Sequence, residues 1–226
     1  MLCVQAEALP RGPRDTRSWY RHADAMAHVD YSLVDFAQAH GGVQVLDLGC
    51  GLGGYSKALA ERGFEVVALD VNADYVERAR SLGVKADTYD GVNVPLPDGA
   101  VDTVVLFEVV EHLEDPASVL REARRVARRN VLLSTPNCTQ SFDGVPIEFS
   151  HMLDVDHRQY FTMQSLGALL GEVFSDYFIE QALPLDAKIA ALVLPRPLRV
   201  LHRWIDRTGR LTPRYFFRLR ACCFTG

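Results

Sequence analysis

Between Val43 and Ala182, short uninterrupted apolar runs alternate with longer stretches of helical periodicity. Val43–Leu48, Glu65–Asp70, Thr103–Phe107 and Val131–Ser134 read as buried strands, with Val84–Ala86 a short one and Tyr177–Ala182 another. Strands that are apolar throughout need cover on both faces, and strands separated by helices pair in parallel. Crossover handedness then leaves chiefly one architecture. It is an α/β, doubly wound, Rossmann-like sheet, mostly parallel, with helices on both faces. A final apolar run, Tyr215–Phe224, reads as an antiparallel edge strand and brings the expected count to seven.

The helices between these strands follow from capping and spacing. Met26, Val29, Leu33 and Phe36 share one face of an expected helix over Asp24–Gln38, which Gly41-Gly42 terminates. A second helix runs to about Arg62 and stops at Gly63; a third spans Asn72–Leu82 with Asn72 as cap. Asp115 followed by Pro116 opens a fourth that is expected to reach Arg129, and Thr162–Phe174 is a fifth. The expected organisation is an N-terminal arm and lid helix (1–40), a cofactor-binding core (41–183), and a C-terminal helical insertion with the last strand (184–226).

Strand Val43–Leu48 runs directly into Gly49, Cys50, Gly51, Leu52, Gly53 and Gly54. Such a turn lets backbone approach a ligand and aims helix N–H groups at it. Gly49, Gly51 and Gly54 satisfy G-x-G-x-x-G, and Asp70 ends the next strand, where a carboxylate binds ribose hydroxyls. That pattern alone fits a nicotinamide dinucleotide as well as an adenosyl cofactor. Asp47 shifts the balance. A carboxylate two residues before the first glycine disfavours a pyrophosphate and favours a ligand carrying positive charge.

Three blocks, in order, carry a family resemblance: LDLGCGLGG from Leu46, VVALDVN over Val66–Asn72, and Pro95–Asp102 leading into Phe107–Pro116. Over about Val43–Phe174 the chain resembles the class I S-adenosylmethionine-dependent methyltransferases. The resemblance implies S-adenosylmethionine as cofactor, with Gly49, Gly51 and Gly53 around its methionine portion. Asp70, with Val71 beside it, would take the ribose hydroxyls. Asp90-Gly91 falls where the family places its adenine contact, with Asp87 as a rival. The Phe107 carbonyl would face the cofactor's amino group.

Methyl transfer needs an aligned nucleophile and, for a hydroxyl, a group that removes its proton. Just past the fourth strand the chain reads Glu108-Val109-Val110-Glu111-His112. If that stretch is helical, the two carboxylates and the imidazole share a face and need a proton or a cation to neutralise them. E-x-x-E-H also resembles a metal-binding pattern in O-methyltransferases of ubiquinone biosynthesis and of small-RNA terminal ribose methylation. That implies a divalent ion such as Mg²⁺ on Glu108, Glu111 and His112, with His157 or His151 downstream. A metal-free role for His112, Glu111 and His157 in catalysis or substrate contact remains open at this point, as does a structural one. The connection from Asn137 to Tyr160 is longer than packing requires and is a candidate acceptor pocket. Trp19 and Tyr20 are candidates for a lid or a hydrophobic anchor.

Partners and setting follow from charge and cysteines. The net charge of −5 argues against a general nucleic-acid binder, yet residues 196–226 carry eight arginines against Asp206 alone. That basic tail, with Leu198, Leu201 and Ile205 at helical spacing, is a candidate for peripheral membrane contact through 196–220 or for an anionic partner. Cysteines at 3, 50, 138, 222 and 223 show neither metal-ligand spacing nor a disulfide framework, and no secretory signal is expected. A reducing, cytoplasmic setting is expected. The expected acceptor is a small molecule methylated on oxygen. N-methylation, ribose methylation of RNA and a non-catalytic cofactor-binding subunit are the alternatives.

Overall fold

A computed structural model describes residues 24–138, 156–184 and 216–226. Its strands are β1 (Gln44–Leu48), β2 (Glu65–Asp70), β3 (Lys85–Thr88), β4 (Val101–Phe107), β5 (Ala127–Pro136), β6 (Asp176–Pro184) and β7 (Phe216–Phe224). They form one sheet in the order β3-β2-β1-β4-β5-β7-β6. β1 to β5 pair in parallel, and β7 runs antiparallel to both β5 and β6. The helices are α1 (Tyr31–His40), α2 (Gly54–Glu61), α3 (Ala73–Ser81), α4 (Pro116–Val126) and α5 (Met163–Val173).

The apolar strands are covered on two sides, as their composition demands. Leu46, Val104, Leu106, Val131 and Leu133 pack with α4 and α5. Their neighbours Val45, Val105, Phe107 and Leu132 pack with α1 and α2. Successive residues of one strand therefore enter opposite cores, which is the period-two rule applied to a doubly covered sheet. The strand order reverses between β1 and β4, and a crevice opens there at the carboxyl ends of the strands.

Three local expectations change. Asp24–Gln38 is not one helix. Asp24 caps a 3₁₀ turn over Ala25–His28 and Asp30 caps α1, each accepting a hydrogen bond from the backbone two residues on. Two caps six positions apart interrupt the helix at Val29, which is extended. Next, α4 ends at Val126 rather than near Arg129, because Ala127 already pairs with Val101. Arg128 there bonds Asp102 on the neighbouring strand. Finally, β7 is not at the edge: it lies between β5 and β6, with Leu219, Ala221, Cys222 and Cys223 buried. Its apolar length reflects burial on both faces.

The described part of the basic tail is also accounted for. Arg218 and Arg220, on β7, pair with Glu108 and Asp30 and with Glu180 respectively. The rest of the expected membrane-contact segment, the helix around Leu198–Ile205, lies outside the described residues, as do Trp19, Tyr20 and His151. Among the described residues no helix is long and apolar enough to cross a membrane.

Candidate active site

The glycine turn is fixed by backbone and by one carboxylate. Gly49 and Cys50 both donate to the Leu69 carbonyl, at 2.7 and 3.1 Å. Asp70 accepts from the Gly51 N–H at 2.8 Å and from the Asn72 N–H at 2.9 Å, so it ties the turn to the start of α3. Burial raises its pKa, against those hydrogen bonds. Gly53 has φ +82, and a Cβ there would lie 2.6 Å from Ala79 Cβ and 2.8 Å from its Cα. Gly53→Val therefore combines left-handed strain with a clash between α2 and α3. It is expected to cost about 3 kcal/mol, read as a melting temperature lower by roughly 10 °C.

Asp47 sits beneath the turn, 2% exposed, and accepts a 2.5 Å hydrogen bond from Ser56. Burial pushes its pKa up to about 6. Val71 stands at the rim, 62% exposed, with Gly91 close enough that a Cβ on it would be 3.2 Å from Val71 Cγ1. Asp90 is turned to its own loop, accepting from the amides of Val92 and Asn93 and from the Asn93 side chain. Its rival Asp87 is paired with Arg80.

A cavity of about 250 Å³ opens at the ends of β1 and β4, lined by Gly49, Cys50, Tyr55, Phe107, Glu108 and Arg218 among others. Glu108 Oε1 accepts from Ser134 Oγ at 2.7 Å and from Arg218 Nε at 2.9 Å. Arg218 also bonds Asp30, the cap of α1. One guanidinium thus joins β7, the end of β4 and the first α-helix.

Glu111 and His112 face elsewhere. The segment Glu108–His112 is not a helix with a shared face: Glu108 has φ +56, and only Val110–His112 form a 3₁₀ turn. That kink sends Glu108 toward Arg218 and leaves Glu111 and His112 beside the returning end of the long connection. The return is clipped on by three backbone bonds. Arg158 and Gln159 donate to the Glu111 carbonyl at 2.8 and 2.9 Å, and Cys138 donates to that of Phe161 at 2.8 Å. His157 is carried to His112, their rings edge to face at 4.7 Å.

The ligand atoms of Glu111, His112 and His157 lie within 4.8 Å of one another, so three of the four residues expected to hold a cation meet and Glu108 stands apart. Glu111 is 1% exposed. Neither its Oε2 nor the neighbouring buried Thr135 hydroxyl makes a well-formed hydrogen bond. Burial first, then the nearby Glu108 charge, push the Glu111 carboxyl well above its ordinary range. The folded state then holds this proton more tightly than the unfolded chain does. Stability is fully present below the ordinary carboxylate pKa and declines as pH rises toward the folded value. Glu111→Gln is expected to flatten that decline in thermal melts taken at pH values rising above the ordinary carboxylate range. An unchanged pH slope would show the group to be ionised at no cost.

Sequence reasoning missed Arg218, Ser134 and Asp30. Arg218 had only its place in a basic tail as a signal; its role rests on the pairing of Pro136 with Arg218 across β5 and β7.

Residues 46–135 match the family described as a methyltransferase domain. Over those residues this chain is similar to that family. A probable S-adenosylmethionine-dependent methyltransferase of Mycobacterium tuberculosis is 40% identical over 97 residues, covering 41% of this chain and 35% of the relative. A ubiquinone biosynthesis O-methyltransferase of Pseudomonas aeruginosa is 33% identical over 141 residues, covering 58% of this chain and 60% of the relative. The chain thus spans about a third of the first relative's length. Among solved structures, an S-adenosylmethionine-dependent methyltransferase from Archaeoglobus fulgidus superposes with a TM-score of 0.65 at 19% identity, over 88% of this chain and 96% of that one. That likeness shows the shared fold. The matched span holds Asp47, the glycine turn, Asp70, Glu108, Glu111 and His112. His157, Asp30 and Arg218 come from outside the matched span.

Proposed function

We propose that this chain is an S-adenosylmethionine-dependent methyltransferase acting on oxygen of a small-molecule acceptor. The observation that carries the reading is a glycine turn held by the Asp70 carboxylate at a cavity mouth, within a methyltransferase domain. Gly49, Gly51 and Gly53 surround the methionine portion, Asp70 receives the ribose hydroxyls, and Val71 with Asp90-Gly91 forms the adenine rim. The Phe107 carbonyl receives the amino group. Named O-methyltransferases among the relatives favour oxygen as the acceptor atom.

His112 is the proposed base. Its Nδ1 lies 3.0 Å from the Asp156 carbonyl, which can only accept, so Nδ1 carries the hydrogen and Nε2 keeps its lone pair. That lone pair suits a hydroxyl proton. Glu111 and His157 orient and screen it.

A cation is a second use of the same three groups, and the orphaned Glu111 Oε2 favours considering it. Two imidazoles and a carboxylate suit Zn²⁺, Mn²⁺ or Fe²⁺; Mg²⁺ takes oxygen ligands and fits this donor set poorly. A bound ion would lower the pKa of a coordinated acceptor hydroxyl.

Calorimetry with S-adenosylmethionine and NAD tests the cofactor: binding of the first and not the second is expected, and the reverse overturns the reading. A methyl-transfer assay over a hydroxyl-bearing metabolite panel tests the reaction. Run with chelator, with Mg²⁺ and with Mn²⁺, it also tests the cation: activity indifferent to all three removes the metal and leaves His112 as base.

A further inference from the structure

The cavity has a wall that the proposed cofactor contacts leave unused. Glu108 follows the last residue of β4 with φ +56, one of two non-glycine residues with positive φ among those described. Such a conformation costs about 1–2 kcal/mol, and several bonds here hold the residue in it. Its N–H donates to the Ser134 carbonyl and hydroxyl oxygen, both at 3.1 Å. Its Oε1 receives Ser134 Oγ and Arg218 Nε. One carboxylate oxygen is committed to the frame, and Oε2 has no hydrogen bond among the described residues. The residue lines the cavity together with Gly49 and Phe107.

Charge at this wall does not cancel. Arg218 is shared between Glu108 and Asp30, two carboxylates against one guanidinium. Asp47 adds nothing directly, because it is buried under the turn on Ser56 and does not line the cavity. Glu108 is therefore the carboxylate presented to whatever lies between the glycine turn and the end of β4.

We propose that Glu108 is a specificity-determining residue that reads positive charge at the methyl-transfer position, favouring the charged sulfonium cofactor over its neutral thioether product. The inference rests on the cofactor reading above. Its effect falls on binding and product release. A carboxylate facing a sulfonium stabilises the bound cofactor, and the attraction disappears when transfer leaves a neutral sulfur. The structure assigns Arg218 and Ser134 to hold Glu108 in place.

The test is calorimetry on the whole chain with three probes: S-adenosylmethionine, sinefungin (an amine at the transfer position) and S-adenosylhomocysteine (neutral there). Glu108→Gln keeps the shape and removes the charge. It is expected to weaken the two cationic probes about tenfold, the effect of losing one charge-assisted contact, with the neutral probe unchanged within threefold. Equal change for all three probes, or none, overturns the inference while leaving the cofactor reading intact. Failure of the wild-type chain to bind any of the three overturns both. Should Glu108→Gln not fold, Glu108→Asp, which withdraws the carboxylate by one methylene, is expected to weaken the cationic probes selectively; a uniform change again overturns the inference.

Discussion

Replacing Asp70 by Ala is expected to weaken S-adenosylmethionine binding about 100-fold or more. The carboxylate already spends one lone pair of each oxygen on the Gly51 and Asn72 amides. The remaining lone pairs face the position proposed for the ribose, and hydrogen bonds to a charged group contribute about 1.5–3 kcal/mol each. The substitution removes those bonds and also releases the turn that shapes the proposed methionine site. The two losses reinforce each other, since a relaxed Gly51 no longer presents its backbone to the ligand. Calorimetry and a thermal melt read them separately: affinity should fall by two orders of magnitude, and the melting temperature by several degrees. Asp70→Asn keeps an acceptor oxygen but sets an amide N–H against a backbone N–H, so it should bind nearly as poorly. A dissociation constant within threefold of wild type would remove Asp70 from the cofactor site.

His112→Ala is expected to cost between about 10² and 10⁴ in kcat while leaving cofactor affinity within threefold. The ring is oriented from two sides: Nδ1 by the Asp156 carbonyl and the ring itself by an edge-to-face contact with His157. Loss of His157 alone should cost roughly tenfold, because the backbone bonds from Arg158 and Gln159 to Glu111 still hold the segment that carries Asp156. An acceptor found by the metabolite panel makes this measurable. A rate within threefold of wild type would assign His112 to structure alone.

Much of the fold was legible in the chain. Strands of continuous Val, Leu and Ile separated by capped helices admit few arrangements, and Glu65–Asp70 was placed at its observed limits. Asn72 and Asp115 cap helices as their side chains predict, and Thr162, expected as the first residue of a helix, is its cap. What failed were boundaries set by contacts distant in sequence. Arg128 and Arg129 continue a helical pattern, yet Ala127 leaves the helix because Val101 offers a strand to pair with. The last strand was assigned to an edge because a strand's own residues do not say which neighbours it has; burial of Cys222 and Cys223 on opposite faces does.

For the site, the sequence by itself determined which residues gather at the proposed cofactor end. Gly49, Gly51, Gly53 and Asp70 lie on one βαβ unit, where short connections turn spacing along the chain into spacing in the fold. The grouping at the proposed acceptor end was decided only by tertiary structure. His157 reaches His112 by backbone bonds across a long connection, and Arg218 reaches Glu108 from a strand more than a hundred residues away. The E-x-x-E-H spacing suggested one shared face, but positive φ at Glu108 divides it into an arginine-held carboxylate and a buried acid beside two imidazoles. Local periodicity cannot foresee that division, because the conformation at Glu108 is stabilised by Ser134 and Arg218, partners that the fold alone brings to it.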